Sequence, residues 1–234
     1  MIGLFVILVI SWGLLSYFEK ENIKVLGFEP SIKFLSHFLI GFTIITIIVL
    51  LNIYMETIVK QVEWQKNEIN YPYLLNAFVY HLKSALTEDL VFRGAILYIL
   101  IKRIGANWAI LISAIMFGIY HWFSFGILNE RFILLAYVFI ITGFTGYVWA
   151  YTFHKTKSIF MGLGFHVGAN LIMSCFFESQ PYGEMIFSLK SSVELDEMPN
   201  FIFSFFRGLF PSILMLLLVR FVIIKEKSNL ELKV

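Results

Sequence analysis

Glu88-Asp89-Leu-Val-Phe-Arg93 places two carboxylates and a guanidinium within six residues of an otherwise apolar stretch. His121, His166 and Asn170 lie in later apolar stretches. A carboxylate and a histidine can hold a water and take its proton. A second histidine and an amide can donate hydrogen bonds to a developing oxyanion. Together these groups suit peptide hydrolysis by an activated water, with Glu88, His121, His166 and Asn170 as the reacting set. The same chemistry can run through a metal. A catalytic zinc takes three protein ligands and a water, and Glu88, His121 and His166 could supply them. The H-E-x-x-H pattern of zincins is absent. Cys175 lies nine residues beyond His166 and off its helical face, so no cysteine–histidine pair is expected; an inert buried thiol is the expectation there.

Spacing assigns supporting roles. Asp89 and Arg93 stand at i, i+4 and face each other across one helical turn. Glu88 is one position off that stripe and is left for chemistry. His81 precedes Glu88 by seven residues, two turns back on the same face, and Asn76 and Thr87 add polarity nearby. Gly162, His166 and Asn170 share a face at i, i+4 spacing, with glycine leaving room beside the imidazole. Gly164 and Gly168 form a small-xxx-small pattern on another face, suited to close helix contact.

The elements that must hold these groups are membrane helices. The chain has 234 residues, of which 59% are hydrophobic and 15% charged, and its mean hydropathy is +0.81. Soluble domains carry about 45–50% apolar and about 25% charged residues, and a domain of this size has too little interior to hide the excess. The expected fold is all-α, a polytopic transmembrane bundle of about seven spans: 2–18, 34–54, 72–102, 106–127, 132–153, 157–177 and 201–224. The third is either one tilted helix or a helix broken near its charged centre. Residues 2–18 lack the basic start and small-residue cleavage site of a signal peptide, and are expected to be a retained span. Residues 1–234 are expected to form a single membrane domain with a functional core at about 72–177. Pro211 falls inside the last span, and Pro30 is among the residues that punctuate the connectors.

The distribution of basic residues predicts an outside N-terminus and an inside C-terminus. Lys20, Lys24, Lys33, Lys102, Arg103, Lys155, Lys157, Arg220, Lys225, Lys227 and Lys233 then fall inside, with Lys60, Lys66, Arg131, Lys190 and Arg207 outside. The acidic connector 178–200 is expected to be a solvated loop, with a lid over the site as the lesser reading. Net charge is only +2, and with no basic arm or phosphate-binding glycine loop, nucleic acid is not an expected partner. Membrane lipid and a membrane-associated peptide or protein are.

Three ordered motifs resemble a known family. Glu88-Asp89-Leu-Val-Phe92-Arg93-Gly94 is similar to the E-E-x-x-F-R-G motif of the CAAX-protease and bacteriocin-processing intramembrane proteases. Phe117-x-x-x-His121 resembles their F-x-x-x-H motif, and His166-x-x-x-Asn170 their H-x-x-x-N motif. The resemblance covers about residues 72–177. It implies a helical membrane protease in which Glu88 activates water with His121, His166 and Asn170 stabilise the oxyanion, and Arg93 orders the acidic pair. It further implies a bacterial cytoplasmic-membrane setting, roles in peptide maturation or bacteriocin self-immunity, and a mechanism using either a divalent metal such as zinc or the glutamate alone. One departure stands out. The second acid is Asp89, one methylene shorter than the family's glutamate. A mild change is expected if it only pairs with Arg93, and a serious one if it must reach a metal or water. The competing readings are a catalytically silent scaffold or immunity protein of the same fold, and a proton-coupled transporter.

Overall fold

The computed structural model describes residues 2–29 and 31–231, with side chains described through Phe221. The expectations for Pro30 and for the side chains of Lys225, Lys227 and Lys233 lie outside the described residues. Among the described residues eight α-helices make up the bundle: α1 (Ile2–Glu19), α2 (Ile32–Val59), α3 (Tyr71–Arg93), α4 (Ala95–Ile104), α5 (Ala106–Ser124), α6 (Phe132–Thr156), α7 (Phe160–Ser174) and α8 (Glu197–Glu231). The third expected span is the broken one, divided into α3 and α4 at Gly94. Helices α1, α2, α5, α6 and α8 are long and apolar enough to cross a membrane, and the chain is an integral membrane protein. The charged cluster sits in α3, and α7 is a shorter apolar helix of 15 residues.

Helix α7 is enclosed by its neighbours. Residues 161–168 are all buried, and its glycines let neighbours approach to backbone contact. A Cβ on Gly164 would run into the Phe38 carbonyl and the Phe42 amide of α2. One on Gly168 would meet Ile45 and the Phe42 carbonyl. Gly41 of α2 answers in kind, lying against the Met161 carbonyl of α7. The expected small-xxx-small face is therefore the α2–α7 contact. Close approach recurs elsewhere: Gly146 of α6 faces Phe117 of α5, and Gly208 of α8 faces Ile141 and Tyr137 of α6. The central apolar core gathers Ile45, Val49, Phe117, Val148, Trp149, Phe165 and Met215 from five helices.

Two short strands accompany the all-α bundle. β1 (Glu63–Lys66) pairs antiparallel with β2 (Phe187–Ser191). The ribbon is anchored by Trp64, which packs on Phe176 and Phe177 and donates its indole N–H to Thr57 Oγ1 at 2.8 Å. The connector after α7 is correspondingly less solvated than expected. The Met185 amide donates to the Ser174 carbonyl, and the Ile186 and Phe187 amides donate to the Cys175 carbonyl. Backbone hydrogen bonds thus fold residues 175–187 back onto the end of α7.

Basic residues pair with carboxylates at the two ends of the bundle. At one end Arg103 pairs with Glu19 at 3.0 Å and Lys102 approaches Glu21 at 4.0 Å. The Ile159 amide there donates to the Leu26 carbonyl. At the other, Lys60 and Arg207 share Glu56, and Lys190 pairs with Glu63 at 3.0 Å. The Lys190 ammonium holds the fully exposed Glu63 carboxyl below the usual range.

Gly164→Ala should destabilise the protein by about 1–3 kcal/mol, because overpacking forces the α2–α7 backbones apart. Thermal melting in detergent checks this against Gly13→Ala, where nothing lies within 4 Å of the added methyl and no comparable loss is expected.

Candidate active site

The site begins with a buried ion pair. Arg93 Nη2 lies 2.9 Å from Asp89 Oδ1, and both side chains are almost fully enclosed (3% and 2% exposed). The i, i+4 spacing brings them together along α3, as expected. The rest of the guanidinium rests on aromatic faces. Its carbon is 4.1 Å from the Phe117 ring centroid and 4.8 Å from that of Trp149. A planar, weakly hydrated cation suits such a slot.

Helix α3 stops beside this pair. Ser113 Oγ of α5 donates to the Phe92 carbonyl at 2.8 Å, satisfying an acceptor near the helix end. A Cβ on Gly94 would collide with the Leu90 carbonyl, so only glycine fits the junction. Three adjacent residues therefore have separate physical jobs. Phe92 packs edge-on to Phe117 at 5.1 Å, Arg93 fills the aromatic slot, and Gly94 turns the chain into α4.

Glu88 points away from the pair and toward α7. Its Oε2 lies 3.8 Å from His166 Nε2, while His166 Nδ1 lies 3.5 Å from Asp89 Oδ1. The imidazole thus stands between the two carboxylates, and Trp149 covers one of its faces at 4.5 Å between centroids. His121 is oriented by its own helix. Its Nδ1 is 2.7 Å from the Phe117 carbonyl. A carbonyl only accepts, so Nδ1 carries the hydrogen, and the neutral ring keeps its lone pair on Nε2.

Glu88, His121, His166 and Asn170 all line one cavity of about 770 Å³. Asp89 and Arg93 stand behind its wall, buried and outside the lining. The shorter acid at position 89 therefore pairs with Arg93 and does not line the cavity. His81 also lines the cavity. Its Nε2 lies 2.9 Å from Ser174 Oγ and 3.2 Å from the Pro181 carbonyl, which ties the connector after α7 to α3. Ser179, Gln180 and Pro181 are part of the lining, so this part of the connector covers the site.

Asn76 and Thr87, expected nearby, are not in the lining. Thr87 spends its hydroxyl on the Lys83 carbonyl one turn back. The polar places fall instead to Ser84, Ser124 and Arg207. Ser84 had a legible signal, one turn before Glu88 on its face. Arg207 had only its position as one of two arginines in the last apolar span. Among the described residues no group of three His, Cys, Asp or Glu side chains is placed to hold a metal ion. The second carboxylate near His166 belongs to Asp89, which Arg93 already engages.

Residues 70–172 match the family model described as type II CAAX prenyl endopeptidase Rce1-like. The matched segment runs from the start of α3 almost to the end of α7 and contains all three motifs. Over this core the chain is similar to the CAAX-protease family of intramembrane proteases. Neither the curated proteins nor the solved structures gave a match.

Removing one partner of a buried ion pair typically costs about 3–5 kcal/mol. Arg93→Ala should therefore fold poorly. Arg93→Lys should recover little, since an ammonium fills the aromatic slot badly. Purification yield and melting temperature check both variants, and wild-type values for Arg93→Ala would contradict the pair's burial.

Proposed function

We propose that the protein is an intramembrane endopeptidase that hydrolyses membrane-associated peptides with a water activated at Glu88. The observation that carries this reading is the convergence of Glu88, His121, His166 and Asn170, drawn from three helices, on one cavity. The family match to an endopeptidase over residues 70–172 supports it independently.

In this mechanism a water bridges the Glu88 carboxylate and His121 Nε2. Glu88 takes a proton as the water oxygen bonds to the scissile carbonyl carbon. The negative charge that develops on the carbonyl oxygen accepts hydrogen bonds from the Asn170 amide and a His166 ring N–H. The carbon–nitrogen bond then breaks, and the proton held by Glu88 passes to the leaving amine. Asp89 and Arg93 act as positioning residues: they fix the turn of α3 that carries Glu88 and the wall against which His166 rests. No step calls on a metal. The mainly apolar cavity wall, including Ile45, Val49, Ile141, Met173 and Met215, suits apolar peptide side chains.

Glu88→Gln should lower peptide cleavage by roughly 100- to 10,000-fold, the usual size of a general-base contribution, with an unchanged melting curve. Cleavage by wild type should persist after exhaustive chelation. Equal turnover by Glu88→Gln and wild type would remove Glu88 from the reaction. Loss of activity on chelation, restored by zinc, would replace the glutamate-only route with a metal-assisted one.

A further inference from the structure

The outer surface of α5 and α6 carries a groove that shares no residue with the cavity holding Glu88. Both helices are long and apolar enough to cross a membrane. Leu111, Ile115 and Ile140 line the groove and are exposed, and exposed apolar side chains on such helices face lipid. Small residues keep the groove deep where the helices meet. A Cβ on Gly143 would stand 3.4 Å from the Ala114 carbonyl. The larger Phe144 and Tyr147 line it beside them, and the space is about 330 Å³.

The groove leads to a charged end. A row of half-buried rings continues from it along α6: Phe144 stacks on Tyr147 at 6.3 Å between centroids, and Tyr147 on Tyr151 at 6.5 Å. At Tyr151 two cations meet one ring. Lys155 Nζ lies 5.5 Å from its centroid, and the guanidinium carbon of Arg220, from α8, lies 5.8 Å from it. Other cations at the bundle ends have a carboxylate, as Arg103, Arg207 and Lys190 do. Among the described residues no carboxylate pairs with Lys155 or Arg220. Both side chains are exposed and long, so one phosphate can draw on both charges.

The spacing of these two features matches a lipid. Ile140 and Lys155 are fifteen residues apart on α6, roughly 22 Å at the helical rise. One leaflet measures about 20–23 Å from headgroup surface to midplane, half of the full bilayer. We propose that this face binds one anionic phospholipid, with its phosphate held by Lys155 and Arg220 beside Tyr151 and an acyl chain laid along the aromatic row into the groove. The phosphate oxygens accept hydrogen bonds from the ammonium and the guanidinium. A zwitterionic headgroup would bring a third cation to the pair, so a lipid of net negative charge is favoured. A helix of a second copy would use the length of both leaflets, and the groove with its charged end spans one.

The test is native mass spectrometry of the full-length protein in detergent, with equal amounts of phosphatidylglycerol and phosphatidylcholine carrying the same acyl chains. Lipid-bound protein should favour phosphatidylglycerol by at least about fivefold, the factor that one basic residue supplies near an anionic surface. Lys155→Gln combined with Arg220→Gln should bring the ratio close to one. Lys24→Gln combined with Lys33→Gln removes the same charge from other exposed positions and should leave the ratio unchanged. Equal loss in the two double variants would overturn the site in favour of diffuse charge. Glycerophosphoglycerol, the same headgroup without chains, should not displace the lipid at equal concentration; displacement would overturn the role of the groove and leave a site for free phosphate esters. Wild type with no preference, including no bound lipid of either kind, overturns the proposal. So does a dimer that carries no lipid, which gives the groove to a second copy.

Discussion

A charged pair buried in a lipid-embedded bundle governs this structure. An ionised side chain at the centre of a membrane helix costs about 2.5–3.5 kcal/mol on insertion scales. Asp89 and Arg93 reduce that cost by neutralising each other at 2.9 Å. The aromatic faces of Phe117 and Trp149 complete the enclosure of the guanidinium. The arrangement fixes more than a pair. Phe117 belongs to α5 and Trp149 to α6, so one cation sets three helices against each other. Trp149 then covers His166 of α7, and Phe117 supplies the carbonyl that orients His121. The ion pair thus defines the geometry of both histidines without entering the cavity.

The second constraint is the space around α7. A helix whose residues 161–168 are all buried can present an imidazole inward only if its other sides are thin. Gly164 and Gly168 provide that on the α2 side, while Gly162 has only Trp149 within 4 Å of an added Cβ. Close backbone packing on one face and a polar row on another are two consequences of one glycine pattern. The connector after α7 then closes over the cavity, fastened by the hydrogen bonds of Ser174 and His81 to the Pro181 carbonyl.

Much of this was legible in the residues. Apolar runs located the helices, with α3 and α4 falling in one run. The i, i+4 spacings foretold the Asp89–Arg93 pair, the His166–Asn170 face and the Gly164–Gly168 contact. Composition left the third span open between one tilted helix and a broken one. The choice follows from Gly94, whose missing side chain matters only against the Leu90 carbonyl. The β ribbon escaped notice because four- and five-residue strands carry little periodicity, and it depends on Trp64 meeting Phe176 and Phe177 across long sequence separation. Ser124 and Arg207 were invisible as site residues for a similar reason: helix packing alone decides which cavity they face. The direct approach of Glu88 to His166 at 3.8 Å was not legible either, since spacing within one helix says nothing about distances between helices.

The convergence of Glu88 with the α7 histidine is the claim most open to direct measurement. In a Cys175→Ala background, Glu88→Cys paired with His166→Cys should be joined efficiently by a short thiol-specific cross-linker in native membranes. Thr87→Cys paired with the same His166→Cys should not. Efficient cross-linking of the Glu88 pair alone is the predicted result. Cross-linking of the Thr87 pair instead, or of neither pair in protein that has inserted normally, would contradict the shared cavity.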